Sequence, residues 1–322
     1  MTATQAWEET YGGAARDVCR RTLLKLAAAD PRVICVDSDT GGLEDLFAEL
    51  PRQYVNVGIA EANMISMAAG LAAAGLRPFV HTLSSFAAAR ACEQIKIDVA
   101  GNNLPVRIVV THGGLSAGHY GPTHHAVEDV ALMRTMPNLT VLVPADAVEA
   151  DLALRAAHEL AGPVFLRLGR APTPLVHRGP CDFEVGRALR LRDGDDVTIV
   201  ATGPYPVLMG IEAVELLAGR GVRARLLDMH TVKPLDRGAL VQAARETGAI
   251  VTVEDHVLVG GLGGAVCEVV AEEHPCPVRR IGVPDAYNDR VGDELHLLNE
   301  AGVSVERIAA AVLELLGVRA GR

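Results

Sequence analysis

One carboxylate stands at the start of a long apolar run of the sequence. The stretch VNVGIAEANMISMAAGLAAAG (55–75) is rich in alanine and glycine, and Glu61 is its acidic residue. A solvated surface turn is one interpretation of this position. The other is a buried acid that is kept protonated for chemistry, because apolar surroundings raise the pKa of a carboxyl group.

Four histidines fall within the glycine-rich stretch HGGLSAGHYGPTHH (112–125). Their spacing does not suit a metal-binding pair on one helix, and the stretch has no cysteine or carboxylate to complete a ligand set. Glycine lets the backbone approach a ligand, and imidazoles exchange hydrogen bonds near neutral pH. We therefore predict a polar substrate loop rather than a zinc site, and no metal ligands in this chain.

A second glycine-rich stretch, GGLGGAV (260–266), precedes a predicted helix. It could cradle a phosphate at the helix N-terminus. It lacks both the usual dinucleotide-binding register and the lysine of a Walker motif. The favoured interpretation is a glycine turn that allows tight helix packing.

The elements that must position these residues alternate between strand and helix signals. Short β-branched runs separated by helical patterns are typical of a mostly parallel sheet with helices on both faces. In such sheets, function gathers in the loops after the strand C-termini, where the histidine-rich loop falls. The predicted strands are 33–39, 54–58, 79–83, 106–112, 140–146 and 164–169, and the predicted helices are 61–74, 85–100 and 146–161.

A proline-rich stretch without periodicity, APTPLVHRGPCDF, interrupts this alternation from residue 171 and is typical of a linker. We predict two α/β domains, residues 1–170 and 185–322, joined by a linker at 171–184. The second domain repeats the alternation, with strands at 197–203, 223–229 and 250–256 and helices near 206–219, 236–247, 264–274 and 304–316.

Composition excludes several classes of protein. The formal net charge is −10 with no basic stripe, which argues against nucleic acid as a partner. No apolar run has transmembrane length, and the first ten residues are polar and acidic rather than a signal peptide. Six scattered cysteines without a C-x-x-C pair suggest reduced thiols, so we expect a cytoplasmic protein that does not contact membranes.

Five segments, taken together and in this order, resemble the C-terminal half of a transketolase. The similarity extends from Arg16 to the last predicted helix. The segments are VNVGIAEANM, TLSSFAAARACEQIKIDVA, THGGLSAGHYGPTHHAVEDVALMRTMPNLTVLVPADAVEA, GPVFLRLGR and VTVEDHVLVGGLGGAV.

The resemblance implies a pyrimidine-binding domain followed by a transketolase C-terminal domain. No G-D-G…N segment, which binds diphosphate and Mg²⁺ in full transketolases, occurs in the sequence. The chain thus resembles the small subunit of a split transketolase. The implied cofactor is thiamine diphosphate held between two different chains, with Mg²⁺ ligands from an N-terminal-half partner subunit in an α₂β₂ assembly.

Four positions correspond to the family's cofactor-binding residues, and Leu83 is the one that differs in residue type. Glu61 matches the catalytic glutamate that donates a hydrogen bond to N1′ of the cofactor's pyrimidine. Phe86 matches the aromatic residue that stacks on this ring. Leu83 stands where many transketolases have another aromatic side chain, and Asp39 matches a cofactor-side aspartate.

Other positions match the family's substrate channel. His112 and His124 match histidines that bind sugar hydroxyls or phosphate, and we expect His124 to assist in proton transfer. Arg16 and Arg170 match arginines that bind the phosphate of sugar phosphates. Either arginine could instead be a surface ion-pair partner.

The sequence departs from the family pattern in the same channel. His119 and Tyr120 replace a glutamate and an aspartate, which we expect to alter the selection of sugar stereochemistry while both residues still contact substrate. Leu43 stands near a family serine that helps to bind phosphate, and His81 replaces a small residue. We therefore expect ketol transfer from an unusual or modified sugar.

Two alternative functions remain open from the sequence. The β-subunits of 2-oxo acid dehydrogenases share the two-domain layout, although the histidine-rich loop and VEDHVLVGGLGG look less like that family. A non-catalytic scaffold subunit is the second alternative. Such a scaffold would have no need of both Glu61 and Phe86.

Overall fold

The fold is taken from a computed structural model that describes Trp7 and residues 10–317. Its first half contains α-helices that alternate with short buried strands, as the sequence predicts. The elements are α1 (Ala15–Ala29), β1 (Val33–Asp37), β2 (Tyr54–Asn56), α2 (Glu61–Ala73), β3 (Arg77–Leu83), β4 (Arg107–Thr111), α3 (Asp129–Arg134), β5 (Thr140–Leu142), α4 (Ala147–Glu159) and β6 (Val164–Arg167).

The second half repeats this alternation after an irregular segment. The sequence did not predict its strands at Leu189–Arg192, Thr231–Lys233 and Val278–Val283, nor its helix at Glu294–Glu300. The elements are β7 (Leu189–Arg192), β8 (Val197–Thr202), α5 (Pro204–Ala218), β9 (Ala224–Asp228), β10 (Thr231–Lys233), α6 (Arg237–Thr247), β11 (Ile250–Val257), α7 (Leu262–Glu273), β12 (Val278–Val283), α8 (Glu294–Glu300) and α9 (Val305–Leu315).

The strands of the described residues form two sheets. The first has seven strands in the order β10-β5-β6-β4-β3-β1-β2, and the second has five in the order β12-β11-β8-β9-β7. All pairings are parallel except those of β10 with β5 and of β7 with β9. The central strands are buried along most of their length, as expected for mostly parallel sheets with helices on both faces. This confirms the predicted fold class.

The two halves of the chain are connected beyond the linker. Strand β10 belongs to the second half of the sequence, yet it pairs with β5 at the edge of the first sheet. Leu115 and Ala145 from the first half are buried in the core of the second. The first sheet therefore needs a strand that is supplied from beyond the linker.

A buried ion pair adds a polar connection between the halves. The Nε of Arg167 donates to Oδ2 of Asp129 at 2.7 Å, and its Nη2 donates to the carbonyl oxygens of Ala126 at 3.2 Å and Asp255 at 2.8 Å. The two charged side chains are 6 % and 0 % exposed. Asp255 in turn accepts the backbone N–H of Leu115. Strand β11 of the second sheet is thereby joined to the loop after β4 of the first.

The predicted helix at 85–100 is not a regular α-helix. The chain instead forms π-helical turns at Phe86–Arg90 and Ile95–Ala100, with one short α-turn between them. Turns of this kind widen a helix locally and are frequent at functional sites. Here they follow β3, where the sequence places Leu83 and Phe86.

No helix among residues 10–317 combines the length and apolar character that a membrane crossing requires. All six cysteines are free thiols, as predicted, and Cys19 and Cys35 are buried.

Candidate active site

A cavity of about 330 Å³ opens at the carboxyl edge of the first sheet, next to the loops after β1, β3 and β4 and the start of α2. Parallel strands bring their C-terminal ends to one edge, which explains why residues distant in sequence meet there. Seven predicted site residues line the cavity, and Arg16, Arg170 and His119 do not. The complete lining is Ser38, Asp39, Thr40, Ile59, Glu61, Leu83, Phe86, His112, Tyr120 and His124.

Glu61 is the first residue of α2 and is only 2 % exposed. The turn before it depends on Gly58, whose φ of +71° is costly for other residues, and on a hydrogen bond of 2.8 Å from the Gly58 N–H to Oδ1 of Asn56. The first turn of a helix also favours a carboxylate electrostatically. The side chain is therefore buried, and the solvated surface turn that was open from the sequence is wrong.

Glu61 has a charged neighbour in the structure. Nη1 of Arg90 donates to Oε2 of Glu61 at 2.7 Å, and the same guanidinium lies 4.4 Å from the centroid of the Phe86 ring. An ion pair and a cation–π contact thus converge on the two residues expected to meet the pyrimidine. Arg90 was not among the predicted site residues. Its position four residues after Phe86 is consistent with a side chain on the same helical face as Phe86.

Two lining residues have a strained backbone. Asp39 and His112 have φ values of +64° and +62°, in the left-handed region that residues other than glycine rarely adopt. Strain of this kind persists only where the surrounding structure imposes it, and it concentrates at functional sites. It directs both residues from the ends of β1 and β4 toward the cavity.

Rings from the histidine-rich loop cover one side of the cavity. His124 meets Phe86 edge-on with ring centroids 5.2 Å apart and lies 4.9 Å from Tyr120. The ring centroid of Tyr120 lies 3.9 Å from that of His119 and 6.2 Å from that of His112. Burial, and then the positive charges of Arg170 and Arg16, lower the pKa of His112 to about 4. His112 is therefore neutral at physiological pH.

The two predicted arginines lie outside the cavity lining but close enough to act on His112. Arg16 contacts Asp17 through Nε at 3.3 Å. Arg20, which was not among the predicted site residues, lies one turn after Arg16 on α1. Its guanidinium is next to Gly42, since a Cβ built on Gly42 would lie 3.2 Å from Nη1 of Arg20. Burial and the charge of Arg16 lower the pKa of Arg20. A group of arginines therefore adjoins the loop after β1.

Two predicted departures from the family pattern have structural roles here. Leu43 is fully buried in the core beneath α1 and does not line the cavity. His81 is 2 % exposed, and its Nδ1 lies 3.2 Å from Oγ1 of Thr40, in the loop after β1. His81 therefore packs against the loop after β1, which carries Asp39.

The buried imidazole of His81 leads to a prediction about pH. Burial, with the charges of Arg20 and Arg16, lowers the pKa of His81 to about 3. The unfolded chain takes up this proton near pH 6.5 while the folded chain does not, so the stability contribution is present above pH 6.5 and is lost as the pH falls. Relative to His81→Leu, the wild-type free energy of unfolding should fall by about 1.4 kcal/mol per pH unit below pH 6.

Urea denaturation of both proteins between pH 7.5 and pH 4.5 measures this difference. Taking the difference between two proteins removes the contribution of the other titrating groups. Exposed His296 provides the control, since His296→Gln should follow the wild-type slope. A constant difference between wild type and His81→Leu across this range would contradict the prediction.

The GGLGGAV stretch is a structural turn. The carboxylate of Glu254 accepts the N–H groups of Leu262 and Gly263 at 2.6 and 2.8 Å, and so occupies the position that a phosphate would need. A Cβ on Gly261 would lie 2.0 Å from this carboxylate, which explains the glycine. His256 is structural as well, since its Nε2 accepts the N–H of Ala131 at 3.1 Å. The preferred interpretation of this stretch is confirmed.

The side chains of the cavity fit the pyrimidine half of thiamine diphosphate. Glu61 offers a buried carboxyl, Phe86 an aromatic face and Leu83 an aliphatic wall, which suit the hydrogen bonding and stacking of a flat heterocycle. Exposed Ile59, at 74 %, stands at the rim of the cavity.

Comparison with protein families identifies both halves of the chain. Residues 13–174 match the transketolase pyrimidine-binding domain, and residues 186–308 match the transketolase C-terminal domain. The chain belongs to the transketolase family, as its sequence motifs imply.

Its relatives include subunits of split enzymes. The chain is 39 % identical over 303 residues to the 6-deoxy-6-sulfo-D-fructose transketolase subunit SqwH of Clostridium sp. (strain MSTE9), covering 93 % of this chain and 94 % of the relative. It is 39 % identical over 307 residues to an apulose-4-phosphate transketolase subunit of Phocaeicola vulgatus, covering 92 % and 97 %.

A solved structure agrees with these relatives. The chain is 40 % identical to a split-gene transketolase described as an inactive β4 tetramer. The two structures superpose with a TM-score of 0.86 over 95 % of this chain and 99 % of that one. This chain is thus similar over its length to separate subunits of transketolases. These relatives favour the transketolase interpretation over the β-subunit of a 2-oxo acid dehydrogenase.

Proposed function

We propose that this chain is the pyrimidine-binding subunit of a split, thiamine-diphosphate-dependent transketolase. The enzyme would transfer a two-carbon ketol unit from a ketose to an aldose. The proposal rests on the fact that Glu61, Phe86, His112 and His124 line the same cavity. The named activities of the two split-enzyme relatives support it.

Glu61, Phe86 and Leu83 would hold the aminopyrimidine, and Asp39 would border the cofactor. When bound, thiamine diphosphate supplies the carbon nucleophile that takes the ketol unit from the donor. The contribution of this chain is a proton held on Glu61 and donated toward N1′ of the pyrimidine. Arg90 has to release Glu61 or move aside for this, because its Nη1 contacts Oε2 of Glu61 at 2.7 Å.

The histidines would act on the sugar. His112 is neutral, so it can exchange hydrogen bonds with a donor hydroxyl without a fixed charge. His124 lies beside Phe86 and is placed to accept and return the proton of a sugar hydroxyl, which stabilises the developing alkoxide. Both groups serve the donor and the acceptor in turn.

Diphosphate and Mg²⁺ would be held by a partner subunit of the N-terminal-half type. The sequence contains no G-D-G…N segment, and the split-enzyme relatives are named as subunits. We propose an α₂β₂ assembly in the cytoplasm, with the cavity facing the partner. Cofactor-dependent release of CO₂ from a 2-oxo acid by the complex would contradict a transketolase. Absence of cofactor binding in the complex would instead indicate a scaffold.

The donor would be a modified sugar with a terminal anion. Arg16 and Arg170 act on His112 from outside the cavity and match the family's phosphate-binding arginines, and Arg20 adds a further positive charge. His119 and Tyr120 stand where the family has two acidic residues, so two negative charges are absent from this channel. Such a channel suits a phosphate or sulfonate group at the far end of the sugar.

Arg170→Met should raise KM for an anionic donor roughly 10-fold, the cost of one charge-assisted hydrogen bond, while kcat changes little. The same variant should not affect a donor that lacks the anion. Steady-state assays of the assembled enzyme with 6-deoxy-6-sulfofructose, a ketose phosphate and the matching neutral ketose test this. Equal KM effects on the charged and neutral donors would contradict the anion-binding role, and preferred turnover of xylulose 5-phosphate would contradict the modified-sugar proposal.

A further inference from the structure

Three side chains that the catalytic proposal does not use meet at the junction of the two halves. They are Glu149 in the first turn of α4, His177 in the segment between β6 and β7, and Asp228 at the end of β9. Glu149 and Asp228 are 0 % exposed and His177 is 9 % exposed. We call these three residues the junction cluster.

The orientation of His177 is fixed by a neighbouring carboxylate. Oδ2 of Asp146 accepts the backbone N–H of His177 at 2.7 Å and lies 3.2 Å from Nδ1 of its ring, while Oδ1 accepts the N–H groups of Val148 and Glu149 at the start of α4. Because a carboxylate accepts this bond, Nδ1 carries the proton. In the neutral imidazole the lone pair of Nε2 is then free to bind a cation, and Nε2 lies 3.8 Å from Oε1 of Glu149. A carboxylate that holds the far nitrogen is the usual support of a metal-binding histidine.

The inward-facing atoms of the cluster have no hydrogen-bond partner outside it among the described residues, while the carboxyl groups of Glu149 and Asp228 are close enough to share a proton. These atoms are Oε1 of Glu149, Nε2 of His177 and both carboxyl oxygens of Asp228. The second oxygen of Glu149 accepts the N–H of Ala145 at 2.7 Å, which turns Oε1 toward the cluster. Polar atoms that are buried without partners are costly, so a group that binds them is expected.

The chemistry of the cluster selects a cation. One ligand atom from each residue lies within 4.8 Å of the other two. Two carboxylates side by side in the interior repel each other unless a positive charge or a shared proton lies between them. A proton shared by the two acids would also neutralise the cluster if His177 is protonated, and its pKa is raised because the carboxylates of Asp146 and Glu149 outweigh the effect of burial. A metal ion instead binds one ligand atom of each residue. One imidazole and two carboxylates form a ligand set that suits Zn²⁺.

We propose that the junction cluster binds a divalent first-row metal ion, with Zn²⁺ as the reference ion, and that this ion ties the linker to both sheets. The ligands come from α4 of the first half, from the linker and from β9 of the second sheet. Ligands on a tetrahedral zinc ion lie about 3.4 Å apart, so binding draws the three side chains together. The ion therefore has a structural role. The site is independent of the proposed ketol transfer, and it departs from the sequence prediction that this chain provides no metal ligands.

The test uses the full chain stripped with a chelator and dialysed against Zn²⁺. We expect about one zinc per chain by elemental analysis and a rise in Tm of roughly 5 °C or more, since binding to the folded state alone stabilises it. Asp228→Asn and His177→Phe should abolish both effects. Exposed His296 provides the matched control, because His296→Gln should keep them.

Substitution with Co²⁺ reports on the coordination of the site. We expect visible ligand-field bands, and their loss in Asp228→Asn. Wild type that neither retains zinc nor gains Tm would overturn the proposal, whatever the variants do. So would zinc uptake by folded His177→Phe equal to that of wild type. If Asp228→Asn is stabilised and wild type shows no zinc response, a shared proton rather than a metal ion neutralises the two carboxyl groups.

Discussion

Glu61→Gln should lower kcat of the assembled enzyme roughly 100- to 1,000-fold, the range of a lost general acid, while the fold and assembly stay intact. The amide can still form a hydrogen bond, but it cannot hold and transfer a proton as a carboxyl does. The side chain is buried at the start of α2, in the cavity with Phe86, so no water replaces its function. Steady-state ketol-transfer assays at saturating thiamine diphosphate measure the effect.

Glu93 is the matched control for this substitution. It is exposed and lies in the segment that follows Phe86, so Glu93→Gln makes the same chemical change outside the cavity. Circular dichroism and gel filtration verify that each variant folds and assembles. A kcat of Glu61→Gln within a few-fold of wild type would sink the assignment of this residue, even if the chain bound cofactor normally.

Arg167→Met should lower the free energy of unfolding by about 3–5 kcal/mol, because it leaves the carboxylate of Asp129 buried without its ionic partner. Asp129 is completely buried and also accepts a hydrogen bond of 2.5 Å from Ser84. Two backbone carbonyls, of Ala126 and Asp255, would lose their donor as well. Urea denaturation of the full chain measures the loss.

A double variant distinguishes the buried charge from simple loss of packing. Arg167→Met combined with Asp129→Leu removes both charges and should recover a large part of the stability. The exposed pair of Arg187 and Glu184 is the control, and Arg187→Met should change stability little. Equal losses for Arg167→Met and Arg187→Met would show that the buried pair does not stabilise the junction.

Much of the candidate site could be predicted because parallel strands order it. Asp39, Leu83 and His112 follow or end three strands that adjoin in the sheet, so strand periodicity alone indicates that they share an edge. The helix that begins at Glu61 is equally visible in the alanine-rich pattern after residue 60. The local sequence carries this information, and the rules of parallel sheets supply the rest.

Other features depend on contacts that local sequence does not encode. Strand β10 has three residues, and its pairing with β5 is decided by how the two halves pack. Arg90 donates to Glu61 from a π-helical turn, in a segment for which a regular helix was predicted. The junction cluster draws on three distant segments, and only the fold reveals that its inward atoms face one another.

If this chain supplies the pyrimidine half of an active site that another chain completes, the native complex should catalyse ketol transfer. The most direct test is the thiamine-diphosphate-dependent ketol-transfer activity of the native complex that co-purifies with the tagged full chain, with its subunits identified by mass spectrometry. We predict an active complex that contains a partner with a G-D-G…N segment. Recovery of this chain alone, together with absence of cofactor-dependent activity, would contradict the claim and favour the scaffold interpretation.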